Sequence, residues 1–521
     1  MITMVAMAML LELRLYVLMN GSAYAAAAAQ QGRYTVAVAH NRPNFLDCEG
    51  HLLTGTTTKE LALIRPWDST SGRVLAYTDE SYEEEFWQRM EGGLPFVTET
   101  RIPIPASEPI ETISVRRRYS DENLARHLLG YLDYDGHGVS GLEYALNSYL
   151  NANTTRTMMS VAVNARGYTT PNSEIIFRED RVISADVMLT INRDIQAVAE
   201  EIAQDSLERG AIVMLDAETF GCAAMVSTPN YSQNNVAASL GNNKGELINR
   251  ALGAFNAGSI YKPVVAAAAL EAGVQPDYSY YCTGEIEVNG HSYTCYNSIS
   301  HGYVDMHGAL TVSCNGYFIS LGQHIGSEAI YNMAADMGVG RPLELYPGYA
   351  TTAGSMPTVA ELETYGELCN HCFGQGKLLV SPAQVAAYTA CIANGGVMKN
   401  VSVVYSLGGE VVMSTSEKRV MSAETAALLA AGMKSVVENG TGVQGKPTYT
   451  DAAGKTGTAQ TGRYNADGTE MVNGWFTGWF PADNPKYIVT IMTENAGSSS
   501  ASAAPVFRQL VNSLYVRGIV A

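Results

Sequence analysis

A serine and a lysine three residues apart are the first side chains in this sequence that could do chemistry together. Residues 258–263 read Gly-Ser-Ile-Tyr-Lys-Pro, with Ser259 and Lys262 at positions i and i+3. If a helix begins near the serine, both side chains lie on one face, one turn apart. Pro263 is compatible with the first turn of a helix. A desolvated lysine has a lowered pKa and can accept the serine proton, so Ser259 is a candidate nucleophile.

Taken alone, the pair is a weak signal, because a chain of this length contains about two Ser-x-x-Lys sequences by chance. Two further motifs follow it: Ser-Cys-Asn at 313–315 and Lys-Thr-Gly-Thr at 455–458. The first supplies a second hydroxyl that can relay a proton and an amide that can hold a peptide backbone. The second supplies a cation and a hydroxyl for a carboxylate, with a glycine where a side chain would block the substrate.

The three motifs, in this order, resemble those of the penicillin-recognising serine enzymes. Other stretches resemble the monofunctional (class B) penicillin-binding proteins, which are peptidoglycan D,D-transpeptidases of division, elongation or sporulation. These stretches are residues 186–192, 249–251, 301–302, 374–376, 381–384 and 439–442, with 41–55 and 138–143 upstream. The resemblance therefore extends over nearly the whole chain and is strongest from Asp186 onward.

The resemblance implies catalytic roles for individual residues. Ser259 corresponds to the nucleophile that becomes acylated, and Lys262 to its base. Ser313 corresponds to the residue that passes a proton to the leaving D-alanine. The backbone N–H groups of Ser259 and Thr458 correspond to the oxyanion hole.

The resemblance also implies a substrate-binding set, to which Thr458 belongs. Asn315 corresponds to the residue that orients the substrate. Lys455 and Thr456 correspond to the residues that hold its terminal carboxylate, and Gly457 leaves the strand open. Stem peptides and β-lactams are the implied ligands, a SEDS-type glycan polymerase in the membrane is an implied partner, and neither a metal nor a cofactor is expected.

Other functions use similar residues. A D,D-carboxypeptidase would send the same acyl group to water, and a penicillin sensor or scaffold would not turn it over. A β-lactamase needs a group that activates water, and Glu328 and Asn332 have a suggestive spacing. We interpret them as part of an ordinary helix capped by Ser327, with Ile330 and Met333 on its buried side.

The elements that must position these residues form two modules. From Asp186 the pattern predicts a strand at 187–191, a helix at 194–209, strands at 211–215 and 222–226, a long helical stretch, strands at 455–460, 475–480 and 487–493, and a helix at 505–517. Strands at both ends with helices between them predict one antiparallel sheet in an α+β fold. We therefore expect a transpeptidase domain at 186–521, preceded by an elongated, mostly β pedestal at 21–185. Within the pedestal a helix is predicted from Ser120 to Gly130.

The N-terminus indicates where the protein is located, and the net charge indicates which partners it can bind. Residues 1–11 and 15–19 are mostly apolar and are separated by Glu12 and Arg14, and we interpret residues 1–20 as a candidate truncated membrane anchor. Ala23-Tyr24-Ala25 looks like a signal-peptidase site. The catalytic domain is therefore expected outside the cell membrane. A net charge of −18 argues against nucleic acid as a partner.

Eight cysteines are too few for a disulfide scaffold in a chain of this size. Cys369 and Cys372 have C-x-x-C spacing but lack the second pair that zinc would require. Cys282 and Cys295 flank a hairpin-like segment with Asn-Gly at 289–290 as its turn, and are expected to be close enough to form a disulfide. The redox state of these four cysteines stays open.

Overall fold

The computed structural model describes residues 2–20, 32–164, 169, 174–179, 185–242, 244–496 and 502–520 of the 521. The chain forms two compact units. The N-terminal unit comprises Met1–Pro43, Gly55–Ser120 and Leu150–Ser184; the C-terminal unit comprises Asn44–Thr54, Asp121–Tyr149 and Ala185–Ala521. The boundary between the units is therefore not the single position between residues 185 and 186 that the sequence suggested. Two upstream segments, Asn44–Thr54 and Asp121–Tyr149, pack with the C-terminal unit.

The N-terminal unit contains two antiparallel sheets of three strands. In spatial order, the strands of one sheet are Arg33–Asn41, Thr155–Ala162 and Ile175–Glu179, and those of the other are Phe96–Glu99, Thr57–Ile64 and Thr112–Arg117. The helix Glu83–Glu91 contributes Phe86 to a small core with Ile64, Val74 and Phe96.

Residues Ile2–Asn20 are helical. Among the residues that the structure describes, no helix is both long enough and apolar enough to span a membrane. The signal-peptidase-like triplet at 23–25 lies outside the described residues.

A five-stranded antiparallel sheet is the centre of the C-terminal unit. In spatial order its strands are Cys222–Thr228, Gly210–Asp216, Tyr487–Ala496, Glu470–Phe480 and Ala453–Tyr464. The predicted antiparallel sheet built from remote parts of the chain is confirmed for the five strands from 211 onward. The strand predicted at 187–191 is Val187–Leu189 and belongs instead to a separate small sheet, where it pairs in parallel with Phe45–Leu46. The strands run longer than predicted at the 453–464 and 470–480 hairpin, where the polar ends gave no apolar signal.

Two helices cover one face of the central sheet. Arg193–Ser206 begins where the Asn192 side chain accepts hydrogen bonds from two backbone N–H groups, as an N-cap does. Its buried apolar side chains pack with those of Ala503–Val516 and with inward-facing strand residues such as Phe476. The rings of Phe476 and Phe507 pack at a tilt of 35°, with centroids 4.4 Å apart. Both helices were predicted within three residues at each end.

The opposite face of the sheet packs against Pro382–Ala393. Strand side chains alternate between faces, so Thr477 points away from its neighbour Phe476. The Thr477 hydroxyl lies 2.8 Å from the hydroxyl of Thr389 on the helix Pro382–Ala393. The Ser381 hydroxyl and the Gln384 side chain cap the helix reciprocally, in a capping box.

Further helices and short strands complete this unit. The helices are Arg126–Leu129, Gly141–Ala145, Asn147–Ala152 (which runs into the N-terminal unit), Ala237–Leu240, Lys262–Glu271, Met306–Val312, Asn315–Ile325, Ser327–Asp336, Val359–Leu362, Tyr365–Cys372 and Ala423–Asn439. A small sheet joins Phe45–Leu46, Val187–Leu189, Val404–Leu407 and Glu410–Val411. Two-stranded pairs join Phe255–Asn256 with Leu379–Val380, Tyr280–Cys282 with Gly302–Val304, Glu285–Val288 with His291–Thr294, Glu344–Tyr346 with Tyr349–Ala350, and Val397–Lys399 with Glu417–Arg419.

Two helix starts were predicted wrongly. The helix assigned to residues 120–130 is only Arg126–Leu129. Its start is set by Ala125, which has a left-handed backbone and donates its N–H to the carboxylate of the half-buried Glu200. The helix Ser327–Asp336 is preceded by Gly326 and has no side-chain cap from Ser327.

Candidate active site

Ser259 lies in a single 3₁₀ turn, Gly258–Tyr261, which leads directly into the helix Lys262–Glu271. The backbone N–H of Lys262 donates to the Ser259 carbonyl, closing the i to i+3 turn. In 3₁₀ geometry the side chains at i and i+3 are aligned, which brings serine and lysine to one side. Pro263 occupies the first turn of the helix. The predicted helix start near the nucleophile is confirmed.

Glycines allow this turn and the strand Ala453–Tyr464 to lie against each other. A Cβ on Gly457 would lie 2.9 Å from Ile260 Cγ2 and 3.0 Å from its backbone nitrogen. A Cβ on Gly258, which has φ +63°, would lie 2.6 Å from the carbonyl oxygen of Thr458. The strand Ala453–Tyr464 therefore lies directly against the turn that carries Ser259, at a distance that larger residues would not permit.

Ser313 connects two helices. It ends Met306–Val312 with a left-handed backbone (φ 57°, ψ 45°), and Cys314 caps the next helix, Asn315–Ile325. A non-glycine residue in this conformation costs of order 1 kcal/mol, and such strain is concentrated at functional sites. The conformation directs the Ser313 hydroxyl between two lysines: Lys262 Nζ and Lys455 Nζ each lie 3.0 Å from its Oγ.

Both lysines are completely buried. Lys262 Nζ also donates to the Ser313 carbonyl at 2.6 Å and to Asn315 Oδ1 at 2.7 Å. Burial lowers the pKa of Lys262 to about 7, against the opposing effect of the Cys314 and Cys295 thiols. Burial, with the charge on Lys262, lowers the pKa of Lys455 well below its ordinary value. A neutral amine next to Ser313 is therefore accessible near neutral pH.

Two further contacts fix the polar groups around the lysines. Asn315 Nδ2 donates to the Thr294 carbonyl at 2.8 Å, which orients its amide oxygen towards Lys262. The hydroxyls of Thr456 and Thr441 lie 2.7 Å apart. Thr441 is not one of the site residues that the three motifs predict, although it lies in the segment 439–442 that resembles the family.

The structure places the predicted site residues as follows. One hydrogen-bonded network joins Lys262, Ser313, Asn315 and Lys455. The strand that carries Lys455 continues with Thr456, Gly457 and Thr458. Ser259 is half-buried on the adjoining turn. Glu328 and Asn332 are instead exposed on their helix, while Ile330 and Met333 are buried. This supports the structural interpretation of that pair.

Comparison with known proteins gives the same family. The model of the penicillin-binding protein transpeptidase domain matches residues 210–512. The chain is 30% identical to penicillin-binding protein PbpB of Mycolicibacterium smegmatis over 77% of this chain and 65% of PbpB. It is 28% identical to the peptidoglycan D,D-transpeptidase MrdA of Haemophilus influenzae, over 64% of this chain and 56% of MrdA. The chain thus spans less than two thirds of either relative.

Solved structures show the same fold. A chain from a structure described as "Structural coordination of polymerization and crosslinking by a peptidoglycan synthase complex" superposes with a TM-score of 0.75 at 24% identity, covering 100% of this chain and 98% of that one. The fold and the order of the motifs thus match those of the penicillin-recognising serine enzymes. This chain belongs to the penicillin-binding protein transpeptidase family.

Proposed function

We propose that the chain is a serine D,D-transpeptidase that cross-links peptidoglycan stem peptides through an acyl-enzyme on Ser259. The observation that carries the proposal is the placement of Lys262 and Lys455 at 3.0 Å from one hydroxyl, that of Ser313. This arrangement joins all three motifs in one proton-transfer network beside the turn that carries the nucleophile.

In the first half-reaction Ser259 Oγ attacks the carbonyl of the penultimate D-alanine, and neutral Lys262 accepts its proton. The developing oxyanion takes hydrogen bonds from the backbone N–H groups of Ser259 and Thr458. When the tetrahedral intermediate collapses, the C–N bond breaks. The terminal D-alanine leaves with a proton passed from Lys262 through the Ser313 hydroxyl.

Substrate is held by the strand that carries the third motif. Lys455 and the Thr456 hydroxyl bind the terminal carboxylate, Asn315 orients the peptide backbone, and Gly457 keeps the strand edge open. In the second half-reaction, the amine of another stem peptide attacks the Ser259 ester, and the bond between the acyl carbon and Ser259 Oγ breaks. The proton of the amine passes through the network to Ser259 Oγ, which restores the free serine. A β-lactam opens on the same serine and leaves a stable ester.

The proposal also covers location and partners. The catalytic domain acts outside the cell membrane, where peptidoglycan is assembled, and it works with a SEDS-type glycan polymerase. The match to a chain of a peptidoglycan synthase complex described as coordinating polymerization and crosslinking supports this partnership.

A labelled-penicillin gel tests the proposal directly. We expect the purified 521-residue chain to take up one label, mapped by mass spectrometry to Ser259, and Ser259→Ala to take up none. Undiminished labelling of Ser259→Ala would contradict the assignment of Ser259 as the nucleophile. A D,D-carboxypeptidase would give the same label, and the fate of the acyl group, treated in the Discussion, separates the two.

A further inference from the structure

Four side chains with metal-binding atoms converge next to the Ser-Cys-Asn motif. The sulfur atoms of Cys282, Cys295 and Cys314 and a ring nitrogen of His301 all lie within 4.8 Å of one another. The three cysteines are buried, with exposed fractions of 1%, 3% and 0%, and His301 is half-buried. We call these four residues the thiol–imidazole cluster.

The distances within the cluster match a tetrahedral metal site. Bonds of about 2.3 Å from Zn²⁺ to sulfur and about 2.0 Å to nitrogen imply donor separations of about 3.8 Å for two sulfurs and about 3.5 Å for sulfur and nitrogen. Cys282 Sγ lies 3.7 Å from Cys295 Sγ and 3.4 Å from His301 Nδ1, and Cys295 Sγ lies 3.9 Å from Cys314 Sγ. A disulfide requires about 2.05 Å between sulfurs. The expected proximity of Cys282 and Cys295 is therefore confirmed, and both are free thiols.

Regular structure fixes each donor. Cys282 ends the strand Tyr280–Cys282, which pairs with Gly302–Val304 directly after His301. Cys295 follows the hairpin Glu285–Val288/His291–Thr294, whose Asn-Gly turn at 289–290 has positive φ at both residues, as predicted. Cys314 caps the helix Asn315–Ile325. The donors are thus held by paired strands and a helix start, so little order has to be gained on binding.

Backbone N–H groups also face the sulfur atoms of the cluster. Backbone N–H groups of Gly284 and Tyr317 donate to the sulfurs of Cys282 and Cys314, each at 3.4 Å. Such N–H donors are the outer partners that metal-bound thiolates take. Three buried thiolates without a cation would be costly, because each charge has lost its hydration. A divalent cation offsets that cost.

We propose that Cys282, Cys295, His301 and Cys314 bind one Zn²⁺ ion and that this ion holds the Ser-Cys-Asn motif in its active conformation. Three sulfurs and one imidazole in a tetrahedron are a donor set that zinc prefers. All four positions come from the protein, so the ion has no open position and serves a structural role. Cys314 lies between Ser313 and Asn315, both of which contact Lys262, and it is therefore a positioning residue. The positioning role, unlike the zinc site itself, rests on the proposed function.

Zinc content tests the site without reference to activity. The full chain, purified under reducing conditions with ZnCl₂ in the culture, is expected to carry one zinc per chain. Cys295→Ala and His301→Ala are expected to carry less than about a tenth of that amount, since loss of even outer partners weakens zinc sites about 10- to 100-fold. Cys391→Ala removes a buried cysteine outside the cluster and should keep all its zinc.

A second measurement covers variants that fail to fold. Wild-type protein stripped of metal and titrated with Co²⁺ should develop the visible bands of a tetrahedral site and a thiolate-to-cobalt charge-transfer band. Absence of zinc and of these bands in folded wild-type protein overturns the proposal. So does full zinc retention by Cys295→Ala and His301→Ala, or a Cys282–Cys295 disulfide found by mass mapping in freshly isolated protein.

A ligand exchange tests the positioning role. Cys295→Asp keeps a zinc-binding atom, so it should retain zinc and acylate with penicillin at close to the wild-type rate. Cys295→Ala, and wild type stripped of zinc, should acylate at least about tenfold more slowly. Added ZnCl₂ should restore the acylation rate of the stripped wild type but not that of Cys295→Ala. Full-rate acylation by stripped wild type overturns the positioning role. A zinc-loaded protein that never acylates Ser259 contradicts the proposed function but not the zinc site.

Discussion

Lys262 and Lys455, which are 193 positions apart in the sequence, both place their side-chain nitrogens 3.0 Å from the hydroxyl oxygen of Ser313. Two fully charged amines could not share one hydroxyl without strong repulsion, because burial removes the solvent that would screen them. At least one amine is therefore neutral for part of the time. The pKa of Lys262, lowered to about 7 by burial, fits that role.

Acylation by penicillin should follow the protonation state of Lys262. Only the unprotonated amine accepts the serine proton, so the acylation rate should rise with pH and level off above about pH 7. Lys262→Ala should acylate about 10² to 10⁴ times more slowly and lose this pH dependence, as measured by stopped-flow kinetics. The exposed Lys244→Ala is the control. Near-normal acylation by Lys262→Ala would mean that Ser259 is activated by another group.

Thr456 should matter more for donor binding than Thr441. Thr456→Val removes a hydroxyl proposed to bind the carboxylate, a loss of about 1.5–3 kcal/mol, so kcat/KM for a peptide donor should fall about 10- to 100-fold. Thr441→Val removes only the 2.7 Å contact to Thr456 and should cost less. Thr456→Ser keeps the hydroxyl and should recover most of the activity. Unchanged kcat/KM in Thr456→Val would contradict a carboxylate-binding role for the hydroxyl.

Gly457→Ala should damage the site by displacement. The new Cβ would approach Ile260 at 2.9 to 3.0 Å, which forces the strand away from the turn that carries Ser259. We expect slower acylation and a stability loss of about 1–3 kcal/mol, measured by urea denaturation. Gly366→Ala is the matched control, because its Cβ would meet only Tyr293 Oη at 3.7 Å. Unchanged acylation by Gly457→Ala would show that the strand and the turn move independently.

His371 should make stability depend on pH. Burial lowers its pKa from 6.5 to about 4, and its Nε2 lies 2.8 Å from the Tyr261 hydroxyl. The unfolded chain therefore takes up the proton first as pH falls. The stability contributed by the neutral ring is complete above about pH 6.5 and is lost as pH falls towards about 4. His371→Gln should show a smaller drop in Tm between pH 7.5 and pH 5 than the wild type. An equal drop in both would assign the effect to other groups, such as His127.

Transfer and hydrolysis differ in what attacks the Ser259 ester. The exposed position of Glu328 leaves it away from the buried network, so we expect the penicilloyl adduct to persist for many minutes. A thioester donor should turn over faster when a D-amino acid is added as acceptor amine. Both are read by mass spectrometry and product chromatography. Rapid loss of the adduct in plain buffer, with no gain from the amine, would make the chain a hydrolase.

The sequence by itself determined the order of the three motifs, the strands of the central sheet and the two helices on one of its faces. These features have local signals: an i, i+3 pair, alternating or continuous apolar runs, and a side-chain cap at Asn192. They could be assigned because each depends on residues within a few positions of one another.

Only the tertiary structure decided how those parts meet. The start of the helix at Arg126 depends on the carboxylate of Glu200, 75 positions beyond Ala125, and no local pattern reports it. Likewise, Cys282, Cys295, His301 and Cys314 lack the close C-x-x-C spacing of a recognisable metal motif, yet strand pairing and a helix cap bring their donor atoms within 4.8 Å. Contacts between residues remote in sequence are set by packing of the whole unit, which is why the apolar pattern predicted the sheet but not the cluster.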